Sequence, residues 1–331
     1  MKKTLITLAL ASMATTATAA NVYSQNGSEL NIGGRAEFRG DFNGKENGDK
    51  VDGTMQNKSR FRLNVGGSTE INDNLTGYGF YEGEQTVNSS DDNSQETNFK
   101  QRYMYAGLKG NWGALSFGRQ NTAGVQISDM SDIATFTGAQ KSFIASGDEQ
   151  VNNTIAYGVA VGGANVQASH ILGEEDNADD YGVSVLYNFP VGVGIALGYS
   201  ANDSYVEDGE RIDEKQNQVI AGVNYAHGGL YTALTYTNGD YNDSEDFNGT
   251  EFAIQYKFHN DFKLIGAYQN QEIDGDKTSD FIEVTAGYDF ADNIYGYLSY
   301  MNNRLDAGDG YGDIRTVDAE DTVRLGLRYT F

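Results

Sequence analysis

The chain has no cysteine, a single proline and no long apolar run, and these absences exclude several kinds of protein. Without cysteine, no disulfide can stabilise the fold. No stretch approaches the ~18 consecutive apolar residues that a membrane-spanning helix needs, and the mean hydropathy is −0.53. A helical membrane protein is therefore excluded. A barrel of strands remains possible, because alternating apolar and polar residues hide a lipid-facing surface from an average over the chain.

Positive charge is also scarce. The 331 residues include 23 Lys and Arg against 47 Asp and Glu, which gives a formal net charge of −24. Nucleic-acid partners require a basic surface that can neutralise phosphates. The composition therefore predicts no nucleic-acid partner.

The first nineteen residues have the pattern of a secretory signal. Lys2 and Lys3 precede an apolar segment at residues 5–14, and Ala-Thr-Ala at residues 17–19 forms a small-residue cleavage site. We therefore expect a signal peptide at residues 1–19 and a single mature domain at residues 20–331. Removing the two lysines leaves 21 basic and 47 acidic residues, a net charge of about −26.

What the chain has in abundance is glycine and aromatic residues, with 41 Gly, 22 Tyr and 16 Phe. The clearest pattern lies at residues 321–331. Every second residue is apolar, and polar residues or glycine fill the positions between; the apolar series is Val323, Leu325, Leu327, Tyr329 and Phe331. This period of two predicts a strand. Its apolar face suits lipid, with Arg324 and Arg328 facing a water-filled lumen.

Similar alternating segments recur from Ser28 onward, and we count sixteen. Short turns alternate with long polar connections, of which the first three span residues 43–56, 85–98 and 120–150. Short turns on one rim and long loops on the other are typical of outer-membrane barrels. An even count lets an up-and-down sheet close without a free edge in lipid. The sequence therefore predicts an all-β, sixteen-stranded antiparallel transmembrane barrel with short periplasmic turns and long external loops.

Catalysis and metal binding find little support. Nucleophilic hydrolysis needs a serine beside a histidine base, but His227 and His259 lie at periplasmic turns and His170 ends strand seven alone. The acidic stretches 173–180, 240–246 and 306–321 do not match a calcium-binding EF-hand loop. We interpret these stretches as solvated external loops. The alternative is that divalent ions bridge them to lipopolysaccharide. We expect neither an enzyme nor a cofactor.

Several short blocks, taken in order, resemble a known family. They are Leu-Asn-Ile-Gly-Gly-Arg at residues 30–35, Ile-Asn-Asp-Asn-Leu-Thr-Gly-Tyr-Gly at 71–79, Tyr-Ala-Gly-Leu-Lys at 105–109, Ser-Phe-Gly-Arg at 116–119 and Tyr-Thr-Phe at 329–331. The chain resembles the trimeric general diffusion porins of Gram-negative outer membranes. The resemblance implies a homotrimer and passive passage of small hydrophilic solutes and ions. It also implies that Tyr329 and Phe331 form the signal recognised by the outer-membrane assembly machinery.

In this family the third external loop folds into the barrel and faces a ladder of basic residues. By resemblance the ladder here is Arg35, Arg62 and Arg102, and its fourth position is the neutral Gln150. The three arginines have the parity opposite to their strands' apolar residues, so the alternation also points them into the lumen. In strand four this assigns Tyr103 and Tyr105 to the lipid-facing side.

The matching loop spans residues 121–149. Ala-Thr-Phe-Thr-Gly at residues 134–138 stands where the family usually has Pro-Glu-Phe-Gly. The resemblance makes Asp129 and Asp132 the acids that face the ladder, with Asp132 favoured by register. Because the net charge is strongly negative and one basic rung is missing, we expect a mild preference for cations.

Two further expectations come from the resemblance. The second external loop would latch onto the neighbouring subunit, with Asp91 or Glu96 reaching Arg119. A substrate-specific channel, or a barrel serving as adhesin or phage receptor, stays open as an alternative. A sugar-specific channel would need an aromatic track along the lumen, and only Tyr78 and Phe80 are ambiguous between the two faces.

Overall fold

A computed structural model describes residues 19–42, 45–46, 49–50, 55–87, 97–173, 179–207, 210–306, 309–311, 314–315 and 320–331. Within these residues, sixteen antiparallel strands form a closed barrel, as the alternation predicts. The strands are β1 Ser28–Asp41, β2 Arg60–Asn72, β3 Leu75–Val87, β4 Thr97–Gly110, β5 Gly113–Gln120, β6 Val151–Val161, β7 Ala164–Ile171, β8 Asp180–Asn188, β9 Val193–Asn202, β10 Gln216–His227, β11 Leu230–Asp240, β12 Asp246–Lys257, β13 Phe262–Ile273, β14 Asp276–Ala291, β15 Ile294–Asn303 and β16 Thr322–Thr330. Nowhere in these ranges is a helix both long and apolar enough to cross a bilayer.

The barrel closes where β16 pairs with both β15 and β1. Its register with β1 runs from Arg35 opposite Thr330 to Asp41 opposite Arg324. Phe331 continues this ladder, exchanging backbone hydrogen bonds of 2.9 and 3.0 Å with Gly34. The C-terminal half of β1, from Gly34 to Asp41, is therefore fully paired.

The N-terminal half of β1 is paired by a segment that the alternation did not identify. A further strand, Ala20–Gln25, folds back on β1 from Ala20 opposite Ile32 to Gln25 opposite Ser28. The hairpin turns through Asn26 at φ 53° and Gly27 at φ 74°, the left-handed pair that tight two-residue turns need. The N-terminal strand thus covers the part of β1 that β16 does not reach.

The two faces of the barrel differ in chemistry. On β16 the side chains of Val323, Leu325, Leu327 and Tyr329 point outward, and Leu327 is 52% exposed. Arg324 points inward and is 8% exposed. Outward apolar and inward polar side chains are what a transmembrane barrel requires.

Strand β4 departs from strict alternation at a position that matters for the lumen. In the β3–β4 pairing, Glu82 is opposite Tyr103 and Gly83 is opposite Gln101, so Arg102 is an extra residue in a β-bulge. A bulge of this kind reverses the facing of every residue beyond it. Arg102 and Tyr103 consequently both face inward. The assignment of Tyr103 and Tyr105 to the lipid-facing side is therefore wrong.

The third long connection, residues 121–149, folds into the barrel, as the resemblance implied. It contains one short helix, α1 Val125–Ser128, and two 3-10 turns, Ala139–Lys141 and Ala145–Gly147. We call these residues the inward loop. It packs against apolar side chains on the inner face of the barrel, which form two clusters with it: Ile127, Met130, Ala196, Ile220 and Ala233, and Phe143, Ile144 and Phe247.

Arg324 ties the last strand both to the first strand and to the inward loop. Its Nε and Nη2 atoms donate to the two carboxylate oxygens of Asp41 at 2.7 and 2.9 Å. Its guanidinium lies 3.7 Å from the ring centroid of Phe136 in the loop. Both charged groups are buried, so removing one would leave the other unpaired.

We expect Arg324→Ala to lower the free energy of unfolding by about 3 kcal/mol, because it leaves the Asp41 carboxylate buried without its ion-pair partner. The matched control is Arg328→Ala on the same strand. Arg328 has no carboxylate within ion-pair distance among the described residues, and its guanidinium lies 5.2 Å from the centroid of the Tyr295 ring. Its substitution should therefore lower the free energy of unfolding by about 1 kcal/mol or less. Unfolding by guanidinium chloride in detergent micelles measures the free energy of unfolding of both variants. Equal decreases would contradict a stabilising ion pair between Arg324 and Asp41.

Candidate pore constriction

Guanidinium groups gather on the inner face of the first four strands. Arg35 on β1 is directly opposite Arg62 on β2, and Arg102 lies on β4. Arg60, opposite Glu37 in the same ladder, and Arg39 add two more. We call these five residues the basic wall. The structure thus brings the three predicted ladder arginines together with two that were not singled out.

Three buried carboxylates lie between these arginines. Glu37 accepts from Arg60 Nε at 2.6 Å and from the Tyr297 hydroxyl at 2.8 Å. Glu82 accepts from Arg102 Nε at 2.7 Å. Glu84 accepts from Arg62 Nη2 at 2.7 Å and from its Nε at 2.9 Å. Paired, hydrogen-bonded charges of this kind can be buried together at acceptable cost.

The basic wall is therefore partly neutralised by its own strands. Five guanidinium groups stand against three carboxylates, and Arg35 has the loosest pairs, at 3.8 Å to Glu84 and 3.9 Å to Glu37. Sequence reasoning singled out none of the three glutamates. Glu37 has the same inward parity as Arg35, and Glu82 and Glu84 alternate along β3, so the signal was present.

The inward loop is held across the lumen by two glutamates on the opposite side of the barrel. Glu283 on β14 accepts from the backbone nitrogens of Thr135 and Phe136 at 2.8 and 3.0 Å. Glu251 on β12 accepts from the backbone nitrogen of Gly138 at 2.8 Å. Gly138 has φ 107°, a conformation that favours glycine. The segment in place of the family's usual turn is thus fixed by its backbone donors.

The predicted loop acids form a cluster around a lysine. Lys141 Nζ lies 3.0 Å from Asp132, 3.6 Å from Asp129 and 3.7 Å from Glu149. Burial by itself would lower the pKa of the Lys141 ammonium, but the carboxylates of Asp132, Asp129 and Glu149 outweigh burial and raise it. Lys141 is therefore charged at neutral pH.

The loop approaches the basic wall most closely through Glu149. Its carboxylate is 3.9 Å from Arg102 Nη2. No ion pair joins Asp129 or Asp132 to the wall arginines among the residues that the structure describes. Gln150, at the ladder's neutral position, is 2% exposed, has φ 58° and donates its side-chain amide to Glu149. Gln150 thus orients the carboxylate that faces Arg102.

Four aromatic rings line the lumen beside this constriction. The centroids of Phe80 and Tyr105 are 5.6 Å apart, those of Phe80 and Tyr103 are 6.2 Å apart, and those of Tyr78 and Tyr105 are 6.4 Å apart. The Tyr103 hydroxyl donates to Asn121 Oδ1 at 2.9 Å, and Arg102 lies 5.7 Å from the Tyr103 ring. We call these rings the luminal aromatic cluster. The ambiguity of Tyr78 and Phe80 is resolved toward the lumen.

Of the residues expected to form the subunit latch, the structure describes only Arg119. Asp91 and Glu96 lie outside the described residues. Arg119 donates to the Gln101 carbonyl oxygen and to Asn152 Oδ1, each at 2.9 Å. Within one subunit, Arg119 therefore joins the extracellular ends of β4, β5 and β6.

Comparisons with known proteins agree with this architecture. A family model described as Gram-negative porin matches residues 7–308. Outer membrane protein U of Vibrio parahaemolyticus is 34% identical, with the whole of both chains covered. Among solved structures, Salmonella typhi OmpF in complex with daunomycin has a TM-score of 0.77 at 19% identity, covering 94% of this chain and 100% of that one. Vibrio cholerae OmpT, in its trimer form, has a TM-score of 0.65 at 21% identity, covering 92% and 99%.

These matches place the chain among channel proteins rather than enzymes. The barrel, its apolar outer face and the outer-membrane relatives make it an integral outer-membrane protein. The chain belongs to the Gram-negative porin family.

Proposed function

We propose that this porin is a water-filled channel for the passive diffusion of small hydrophilic solutes and ions, with a mild preference for cations. One observation carries the proposal. A basic wall and a carboxylate-bearing loop face each other across the lumen, joined at their closest point by Glu149 and Arg102 at 3.9 Å. The residues assigned to this constriction are Arg35, Arg62, Arg102, Asp129, Asp132 and Glu149.

Opposed charges give a narrow pore a defined chemistry. Carboxylates on one side and guanidinium groups on the other create a field across the slot, which orients water and dipolar solutes. Displacing that ordered water costs more free energy for apolar solutes than for dipolar ones. Arginine suits the wall because it stays protonated and its planar group can stack beside a second one.

The charges beside the slot explain why the proposed cation preference is mild. Glu37, Glu82 and Glu84 offset much of the basic wall, and Gln150 leaves the fourth ladder position neutral. On the loop, three carboxylates surround a single ammonium group. Six carboxylates thus balance six basic groups at the constriction, so the small excess of cations is expected to come from the overall charge of −24.

A zero-current potential measured across a planar bilayer under a KCl gradient tests this selectivity. We expect the unmodified channel to favour K⁺, and Glu149→Gln to lower the K⁺/Cl⁻ permeability ratio by roughly twofold, because one carboxylate is lost from the slot. Asp243→Asn removes the same charge from an exposed external loop and should change the ratio less, because salt screens distant charges. Anion selectivity of the unmodified channel would refute the proposal.

The luminal aromatic cluster favours one alternative, a channel with a preferred ring-shaped solute. Sugar rings stack on aromatic faces, and the cluster also has amide and hydroxyl neighbours; Asn121, Gln120 and Ser116 line a small recess with Tyr78 and Tyr105. General diffusion remains our proposal, because Tyr103 is only 6% exposed and its hydroxyl is already bonded. Such a ring offers little free surface to a solute.

Liposome swelling with a size series of sugars separates the two functions. General diffusion predicts rates that fall smoothly with solute size and do not saturate. A specific site predicts saturation by one sugar, abolished by Phe80→Ala, because that substitution removes the central ring of the cluster. Saturation lost in this variant would favour the alternative function.

We also propose that the channel is a homotrimer surrounded by membrane lipid, with lipopolysaccharide around its external loops. The outer face of the first three strands supports an interface there. A shallow depression lies over Val65, Gly67, Ile71, Gly77 and Gly79, where a neighbouring barrel could approach closely. The trimer form of the structurally similar Vibrio cholerae OmpT also supports this assembly.

Tyr329 and Phe331 are proposed as the signal read by the outer-membrane assembly machinery. Deleting Phe331 also removes two backbone hydrogen bonds to Gly34, so Phe331→Ala is the better variant because it removes only the ring. We expect several-fold less trimer in the outer membrane, seen as a heat-modifiable gel band, with export to the periplasm intact. Unchanged trimer yield would argue against the signal.

A further inference from the structure

Lys141 is a cation within the inward loop, whose proposed role is to place carboxylates at the constriction. It belongs to the 3-10 turn Ala139–Lys141, and its side chain is 9% exposed. Neither the alternation nor the family resemblance singled it out. Its ammonium group lies within 3.0 to 3.7 Å of three carboxylates, which come from both arms of the loop: Asp129, Asp132 and Glu149.

The three acids are the exposed part of this cluster. Their side chains are 42%, 28% and 27% exposed for Asp129, Asp132 and Glu149, against 9% for Lys141. A solute in the slot therefore meets carboxylate oxygens, with the ammonium group behind them. Because the positive charge is within 4 Å of all three, it cancels part of the field that they project into the lumen.

Holding the loop in place does not require Lys141. The loop tip is already tied to the barrel by Glu283 and Glu251 through three backbone donors. The first arm is fixed by Ser131 to Thr235 at 2.7 Å and by the Tyr231 hydroxyl to the Met130 carbonyl oxygen at 2.6 Å. What Lys141 alone contributes is charge among the acids at the slot.

We propose that Lys141 is a selectivity-determining residue, a built-in counter-ion that keeps the cation preference of this channel mild. The inference rests on the proposed constriction. It also has a chemical consequence that a merely structural lysine would lack. Without the ammonium group, three carboxylates would lie around one uncharged position, and carboxylate oxygens are the ligands that Ca²⁺ prefers.

The test compares Lys141→Met, of similar length and no charge, with the unmodified trimer in planar bilayers. We expect the K⁺/Cl⁻ permeability ratio to rise about two- to threefold, because one positive charge within 4 Å of the acids is lost. Millimolar CaCl₂ should reduce the single-channel conductance of the variant and leave that of the unmodified channel nearly unchanged.

Three controls separate charge from folding. Lys141→Arg keeps the charge and should keep the original ratio. The double variant with Lys141→Met and Asp132→Asn restores the net charge and should return the ratio toward the original value, which a collapsed loop would not do. Lys257→Met removes the same charge beside Asp289 at the periplasmic mouth and should have a smaller effect.

The outcomes also separate this inference from the proposed constriction. If Glu149→Gln shifts the ratio and Lys141→Met does not, the lysine has no selectivity role and the constriction stands. If neither variant shifts it, the constriction itself is wrong. A Lys141→Met ratio that rises without any return in the double variant would overturn the counter-ion role and assign the effect to loop rearrangement.

Discussion

A strand in contact with hydrocarbon must have both of its edges paired, and the whole architecture of this porin depends on that requirement. Lipid offers no partner for a free N–H or C=O group, so the sheet has to close on itself. Here closure takes two segments, because β16 pairs with β1 only from Arg35 to Asp41 and the strand Ala20–Gln25 completes the rest. Arg324 adds a buried ion pair across the same seam.

Closure creates an interior whose polarity is set by charges rather than by a packed core. The basic wall and its buried glutamates occupy one side, and the inward loop fills part of the other. Each arginine of the basic wall and each carboxylate around Lys141 has a partner of opposite sign within about 4 Å, so the net charge that these groups present to a solute is small. This arrangement is the basis on which we propose weak ion selectivity.

Much of the barrel could be predicted from the sequence, because the side-chain period of a strand is two and lipid demands a consistent outer face. The count of sixteen strands and the inward facing of Arg35 and Arg62 follow from alternation alone. It gave the wrong facing for Tyr103 because one extra residue, Arg102, reverses the parity. Apolar residues at inward positions, such as Ile220 and Phe247, were an unused signal for where the loop packs.

The outer-membrane barrel, its apolar outer face and the strands that carry the ladder arginines can be predicted from the sequence, since these depend on local period and composition. Which charges meet depends on the tertiary structure. Glu149, rather than Asp129 or Asp132, lies nearest to the wall, and Lys141 sits between all three acids. The reason is physical: an irregular loop has no period from which its side-chain directions can be read, and its course is fixed by distant partners such as Glu283.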